Sequence, residues 1–378
     1  MLSRIYGIGL KGIEGFMVSC EVDVGAGLPQ ATLIGYVNSA VKESHDRIKT
    51  AIKNSGFELM PRKMVITLPP ADIRKEGCAY DLPIAIAMLE AYKIIKSELL
   101  NNSAFIGELS LGGNLLPVRG VLALVMAAKE AGIKHIFLPK ENAKEAGVVE
   151  GIDCYGVGSL KETCDLIKRS LRGQEPVRYE YNKFDEYDEK LDFSDINGQE
   201  LSKRATIIAV SGRHNILYIG PAGTGKSMLA ARIPSIMPGM SMSERVEISK
   251  LHSICGQLPP DEALVRVRPY RHPHHTISPQ ALVGGGKYPK PGEISLASGG
   301  VLFLDELAEF KKDALEVLRQ PLEEGVVSIS RVQASYTFPA SFLLCAATNP
   351  CKCGFYPDRS KCSCDERMVK NYLAKISK

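Results

Sequence analysis

The stretch GPAGTGKS, Gly220 to Ser227, sets three glycines, a lysine and a serine in the pattern G-x-x-x-x-G-K-S. Glycines let a backbone fold until its N–H groups converge on phosphate oxygens, and a helix starting directly behind them adds positive potential. Lys226 would neutralise terminal phosphates and Ser227 would ligate Mg²⁺. A chance glycine-rich turn matches the same letters, but NILYIG before the loop reads as a strand and MLAARI after it as a helix, which is the context the chemistry needs. Gly220, Pro221, Ala222, Gly223, Thr224, Gly225, Lys226 and Ser227 are therefore assigned to nucleotide binding.

A second cluster lies in VLFLDE, where four apolar residues end in Asp305 and Glu306. Acids at the C-terminal tip of a buried strand sit where open α/β sheets bind ligands. Asp305 would hold Mg²⁺ and its waters, and Glu306 would activate the water that attacks a γ-phosphate. The plainer reading is a strand that ends in solvated acids. Asn349, behind the apolar run SFLLCAAT, would offer an amide to that water or phosphate from a neighbouring strand tip; alone it would be an ordinary turn residue before proline.

Two Cys-x-Cys pairs follow at once, Cys351 with Cys353 and Cys362 with Cys364, joined by the turn-prone GFYPDRSK. Four thiolates suit tetrahedral Zn²⁺ and leave no open position for a substrate water, so a bound zinc would be structural. The spacing departs from the usual C-x-x-C, and reduced surface cysteines or redox pairs stay open. His272, His274 and His275 of RHPHHT are too tightly spaced around proline to converge on one ion easily. They read as structural or substrate-loop residues, without a catalytic role.

These residues need elements to position them. From residue 201 onward, apolar strands alternate with helical segments, which indicates a parallel sheet covered on both faces. DALEVLRQPLEEG reads as one helix, and EEGVVSISRVQASYTFPASF as a hairpin before the Asn349 strand. Residues 1–171 alternate strand patterns such as CEVDVG and HIFLPK with the amphipathic helix SAVKESHDRIKTAIKNSG, a mixed α/β pattern. Between them, residues 172–200 are rich in charge and tyrosine with little apolar periodicity and read as a polar linker.

A chain of 378 residues that is 45% hydrophobic is long enough for two cores. Its N-terminus, MLSRIYGIGL, lacks the basic-then-apolar pattern of an export signal, and no apolar run approaches the roughly 18 residues of a spanning helix. The protein is expected to be cytoplasmic, with no membrane partner. The six cysteines outside the paired cluster are scattered singly, as reduced core cysteines are. A net charge of +4 neither demands nor excludes a polyanionic partner.

The three nucleotide elements, with RPYRHPHHTISPQALVGGGKYPKPGEISLASGG between them, closely resemble the magnesium-chelatase-like AAA+ ATPases of the YifB/ComM family. The resemblance extends through GLPQATLIGYVNSAVKESHDRIKTAIKNSGF and IGELSLGGNLLPVRGV, nearly the whole chain. It implies a P-loop AAA+ parallel-sheet domain over 201–378, a Mg²⁺- and ATP-dependent motor with Asp305, Glu306 and the sensor Asn349, and assembly into a ring, as a hexamer. It also implies a Lon-protease-like domain over 1–171. That domain reads as non-proteolytic, since KEGCAYDLP holds no serine and Leu122 stands where the protease lysine would fall.

In related replicative helicases a basic residue on the hairpin before the sensor strand faces DNA, which makes Arg331 a candidate DNA contact, against the plainer reading of a solvated arginine. The implied function is ATP hydrolysis coupled to DNA remodelling, of the branch-migration or helicase type, in recombination or natural transformation. The alternative is a protein-remodelling ATPase acting on a partner, as in magnesium chelatase. Family members continue with a trans-acting arginine and a helical lid, so this chain is expected to be a fragment lacking the lid that binds ATP and hydrolyses it poorly.

Overall fold

From Glu14 to Gly25 the side chains of Val18, Cys20, Val22 and Val24 alternate into the interior while Asp23 faces solvent, the period-two pattern of a half-buried strand. This strand pairs antiparallel with Leu2–Lys11 through a turn at Gly12, whose φ of 66° suits glycine. A computed structural model describes residues 1–35, 39–179, 191–259, 262–286, 289–331 and 334–376. The chain divides into two compact units, Met1–Tyr181 with His252–Leu264, and Asn182–Leu251 with Val265–Lys378.

The first unit is built on a seven-stranded mixed sheet. Its order is Ala31–Ile34, Lys63–Thr67, Glu14–Gly25, Leu2–Lys11, Ser103–Phe105, His135–Pro139, Asp153–Val157. Helix Asp81–Ala91 is buried on nearly every side and lies so close to the sheet that a Cβ at Gly7 would sit 3.0 Å from Pro83 Cγ, a density typical of protein interiors. At its start the fully buried Asp81 carboxylate accepts hydrogen bonds from Arg47 Nε at 2.7 Å and Nη2 at 3.0 Å, and from the Leu109 N–H at 3.1 Å. Lys75 is equally buried, its ammonium donating to the carbonyl of Ile73 at 2.7 Å and to that of Pro70. The segment His252–Leu264, which the sequence reading keeps with the second half, belongs to this unit. There Ser253 Oγ donates to the buried carboxylate of Glu145 and accepts from the Gly120 N–H at 2.9 Å.

The second unit carries a four-stranded, all-parallel sheet in the order Ile216–Ile219, Leu343–Thr348, Val301–Leu304, Tyr270–Arg271. Val301–Leu304 is buried throughout, which explains its unbroken apolar run. The expected single helix at DALEVLRQPLEEG is two short ones, Lys312–Glu316 and Arg319–Glu324. Pro321 has no N–H to give an earlier turn, and the break places it in the first turn of the second helix, where none is required. The hairpin Val326–Arg331 with Ala334–Pro339 forms as expected. Within the polar linker, 180–190 lie outside the described residues; Val177 bridges to Cys154 in the first unit, and Phe193 and Ile196 are buried in the core of the second. Among the described residues, no helix is long and apolar enough to cross a membrane.

The Arg47–Asp81 pair yields a stability prediction. Asp81→Ala leaves a half-buried guanidinium and the Leu109 N–H without their acceptor, and breaking such a pair costs about 3–5 kcal/mol. A lower denaturant midpoint for the unfolding of this unit is the expected result.

Candidate functional site

Parallel pairing sends the four strands of the second unit's parallel sheet out at one edge, so the residues that follow them converge. Gly220 follows Ile219, Asn349 follows Thr348, Asp305 follows Leu304 and His272 follows Arg271. A cavity of about 400 Å³ opens at this edge, lined by Ala222 to Met228 together with Asp305, Glu306, Thr348 and Asn349. It has the position that open α/β sheets give to ligands.

The loop curls because Gly223 and Gly225 take φ values of 76° and 83°, a region that costs a side chain strain and glycine none. Thr224 Oγ1 donates to the Pro221 carbonyl at 2.8 Å and closes the turn. Helix Lys226–Ala231 starts directly behind Gly225. The Lys226 ammonium donates to the carbonyls of Gly220 and Pro221, both at 2.8 Å, and to Asn349 Oδ1 at 3.3 Å. Burial lowers its pKa and the nearby Asp305 opposes that shift. Ser227 Oγ donates to Asp305 Oδ2 at 2.6 Å, while Asp305 Oδ1 accepts the Glu306 N–H at 2.9 Å.

A hydroxyl and a carboxylate already in contact are a donor set of hard oxygens, which fits Mg²⁺. Ser227 and Asp305 would hold such an ion, and Lys226 would meet phosphate oxygens beside it.

The Glu306 backbone is left-handed, at φ 52° and ψ 45°, an uncommon conformation for a residue with a side chain. The Glu306 Oε2 lies 3.2 Å from His275 Nδ1. The sequence reading gives His275 no catalytic role, and it misses this contact because the strand that brings His275 here, Tyr270–Arg271, has only two residues and no apolar pattern.

Beyond Asn349 the four cysteine Sγ atoms of Cys351, Cys353, Cys362 and Cys364 lie within 4.8 Å of one another. The Cys351–Cys353, Cys353–Cys362 and Cys351–Cys362 separations are 3.3, 3.6 and 3.8 Å. Tetrahedral Zn²⁺ with Zn–S bonds of about 2.3 Å requires sulfur separations of about 3.8 Å, so the donor set fits that ion. No disulfide joins any cysteine among the described residues. Helix Glu366–Leu373 seals one side, its Val369 packed on Cys351 and Cys364 and its first turn capped by Asp365, which accepts the Met368 N–H at 2.6 Å. A Cβ at Gly354 would stand 4.0 Å from the Ala222 N atom, so the cysteine turn lies against the phosphate loop.

Arg331 is exposed at the end of strand Val326–Arg331, opposite Ala334, and 332–333 lie outside the described residues. Its guanidinium contacts only the adjacent Ser330 carbonyl, at 3.4 Å, among the hydrogen bonds described. In the first unit Leu122 is buried at the start of helix Val121–Glu130, and the Lys75 ammonium is taken up by its loop carbonyls.

The model of the family "Magnesium chelatase, subunit ChlI" matches residues 192–378, and that of "Subunit ChlI of Mg-chelatase" matches residues 20–142. YifB of Escherichia coli is 40% identical over 380 residues, spanning 100% of this chain and 73% of its own length. Competence protein ComM of Haemophilus influenzae is 39% identical over 382 residues, spanning 100% and 74%. A Lon protease of Amoebophilus asiaticus is 30% identical over 146 residues, covering 37% of this chain and 17% of its own length. A Lon-like mixed α/β unit followed by a parallel-sheet unit with a phosphate loop, matched from end to end at about two residues in five, places the chain in the magnesium-chelatase-like AAA+ family of YifB and ComM.

Proposed function

We propose that this chain binds ATP with Mg²⁺ at the cavity between the phosphate loop, Asp305 and Asn349, hydrolyses it, and couples turnover to the remodelling of DNA. The observation that carries the ATPase reading is the convergence of Lys226, Ser227, Asp305, Glu306 and Asn349 at one sheet edge. Gly220 to Ser227 would wrap the phosphates, with Lys226 leaving its loop carbonyls for phosphate oxygens. Mg²⁺, when bound, supplies charge neutralisation across the terminal phosphates. Glu306 accepts the proton of the attacking water, and the Asn349 amide holds that water or the γ-phosphate.

The DNA reading draws support from the exposed Arg331 on a hairpin that leads into the Asn349 strand, and from the competence role that the name of the Haemophilus influenzae relative carries. Assembly into a ring, as a hexamer, belongs to the same reading. A magnesium-chelatase-like motor acting on a partner protein is the second reading, favoured by the family models that match both parts of the chain. The first unit is read as non-proteolytic, because residues 75–83 hold no serine and Leu122 is a buried hydrocarbon. The cysteine cluster is read as a structural Zn²⁺ site.

ATP turnover by the full-length protein, with and without Holliday-junction DNA, tests this. Glu306→Gln is expected to lower turnover by about 10²–10⁴-fold while nucleotide still binds. Stimulation by branched DNA that falls steeply with salt supports the DNA reading, and stimulation only by a protein partner supports the second.

Arg331→Ala is expected to weaken DNA binding and to reduce the slope of log affinity against log salt by about one phosphate contact. An unchanged affinity and slope remove Arg331 from the interface.

Metal analysis of carefully reduced protein is expected to find zinc near one equivalent, lost in Cys351→Ser. A stoichiometry near zero in the unsubstituted protein ends the zinc reading.

A further inference from the structure

The four-cysteine turn and the helix behind it reach the nucleotide cavity from one side. The Gly354 N–H closes on the Cys351 carbonyl at 3.0 Å, and the Tyr356 N–H donates to Cys351 Sγ at 3.4 Å. The backbone thus wraps the first sulfur and brings Gly354 against the Ala222 N atom of the phosphate loop. Helix Glu366–Leu373 runs back across the cluster with Val369 and Leu373 packed on the cysteines. From the same helix the buried Tyr372 meets Thr348, which lines the cavity one residue before Asn349. Burial raises the pKa of the Tyr372 phenol, and its contact with the Thr348 side chain works against that rise. Just beyond, Lys375 Nζ lies 3.7 Å from Glu309 Oε2, an exposed pair that contributes little by itself.

A helix of eight residues is too short to persist on its own, so its place depends on what it packs against. The buried core beneath it is Cys351, Cys364 and Val369. A core of that size does not hold an irregular turn in register, whereas a metal joining the four sulfurs does. We propose that the cysteine turn and its helix make the nucleotide site zinc-dependent: Zn²⁺ on the four sulfurs seats the helix so that Tyr372 meets Thr348, and thereby raises nucleotide affinity. A metal that keeps this side of the cavity assembled relieves the nucleotide of part of the cost of ordering it. By linkage, bound nucleotide raises the affinity for zinc by the same factor.

This rests on the readings of the cluster as a zinc site and of the cavity as a nucleotide site. The experiment uses the full-length protein loaded with zinc, the same protein stripped by a nitrogen-donor chelator that spares Mg²⁺, and Tyr372→Phe, which keeps the ring and removes only the hydroxyl. Two equilibria are read. One is the Kd of a non-hydrolysable ATP analogue with Mg²⁺, and the other is zinc affinity in competition with the chelator, with and without that analogue. Stripping is expected to weaken analogue binding at least about fivefold, and the analogue to tighten zinc binding by the same factor. Re-added zinc is expected to restore the Kd. Tyr372→Phe is expected to keep its zinc and to show a coupling factor at least about twofold smaller, as loss of one hydrogen bond does.

If the unsubstituted protein holds no zinc, the zinc reading fails and this inference with it. If the zinc-loaded protein does not bind the analogue, the nucleotide reading fails and takes the inference along. When both ligands bind, an equal Kd in loaded and stripped protein overturns the inference alone, as does a zinc affinity that the analogue does not move. If stripping unfolds the second unit, the zinc competition supplies the factor in place of the Kd. A Tyr372→Phe protein that keeps the full factor overturns the inference too, because the coupling then does not run through Thr348.

Discussion

The candidate site depends on the parallel register of strand Leu343–Thr348 with its two neighbours. Ile219 lies beside Thr348 and Leu304 beside Ala346. Gly220 therefore leaves the sheet level with Asn349, whereas Asp305 emerges level with Ala347, a short step lower. That step lets the loop pass above Asp305 and return Ser227 to within 2.6 Å of it while Lys226 reaches Asn349. A slip of one residue would turn every side chain of a strand to the opposite face. Both faces of Val301–Leu304 and of the end of Leu343–Thr348 are buried, so it is the close packing of side chains of unlike shape that opposes such a slip and sets the spacing of the polar groups at the edge.

The same strand exit ties the cysteine cluster to this geometry. Only Pro350 separates Asn349 from Cys351, which is wholly buried. A turn whose four sulfurs converge, sealed by a capped helix, restrains the chain on the far side of Asn349 just as the strand does on the near side. Without such a restraint the amide would hang from an irregular loop, and loops are the mobile parts of a fold. A structural metal bound by these sulfurs would contribute stability through the same ligands that hold the turn together, and it would do so next to the phosphate loop.

What was legible in the sequence was what is local. The phosphate loop, the Asp305–Glu306 pair and the Cys-x-Cys pairs each carry their chemistry within a few residues, and the apolar runs before them point to the strands that deliver them. The His275–Glu306 contact was not legible, because it depends on Tyr270–Arg271 joining the sheet beside Val301–Leu302, a pairing made by tertiary contacts and not by a hydrophobic pattern. The two-helix break at Pro321 was available from proline chemistry but was masked by a good helical period on both sides. The grouping of His252–Leu264 with the first unit turns on Ser253 meeting Glu145, 108 positions away in sequence, and no window of local sequence contains both.

The contacts at the sheet edge also bear on how a nucleotide would engage it. Lys226 donates to two backbone carbonyls and an amide oxygen, and Ser227 to Asp305, so a ligand at this edge has to displace contacts already made. A phosphate competes for Lys226 with an ionised acceptor against neutral ones, and charge-assisted hydrogen bonds are roughly twice as strong. A neutral ligand lacks that advantage and leaves the loop as it is. A Lys226 that turned to phosphate would release Asn349, and a Ser227 that turned to a metal would release one oxygen of Asp305. Occupancy of the loop would therefore be felt at two other strand tips, while Glu306 has a separate contact with His275. Under the proposed reading, phosphate binding by Lys226 and water activation by Glu306 would rest on different anchors of one sheet edge.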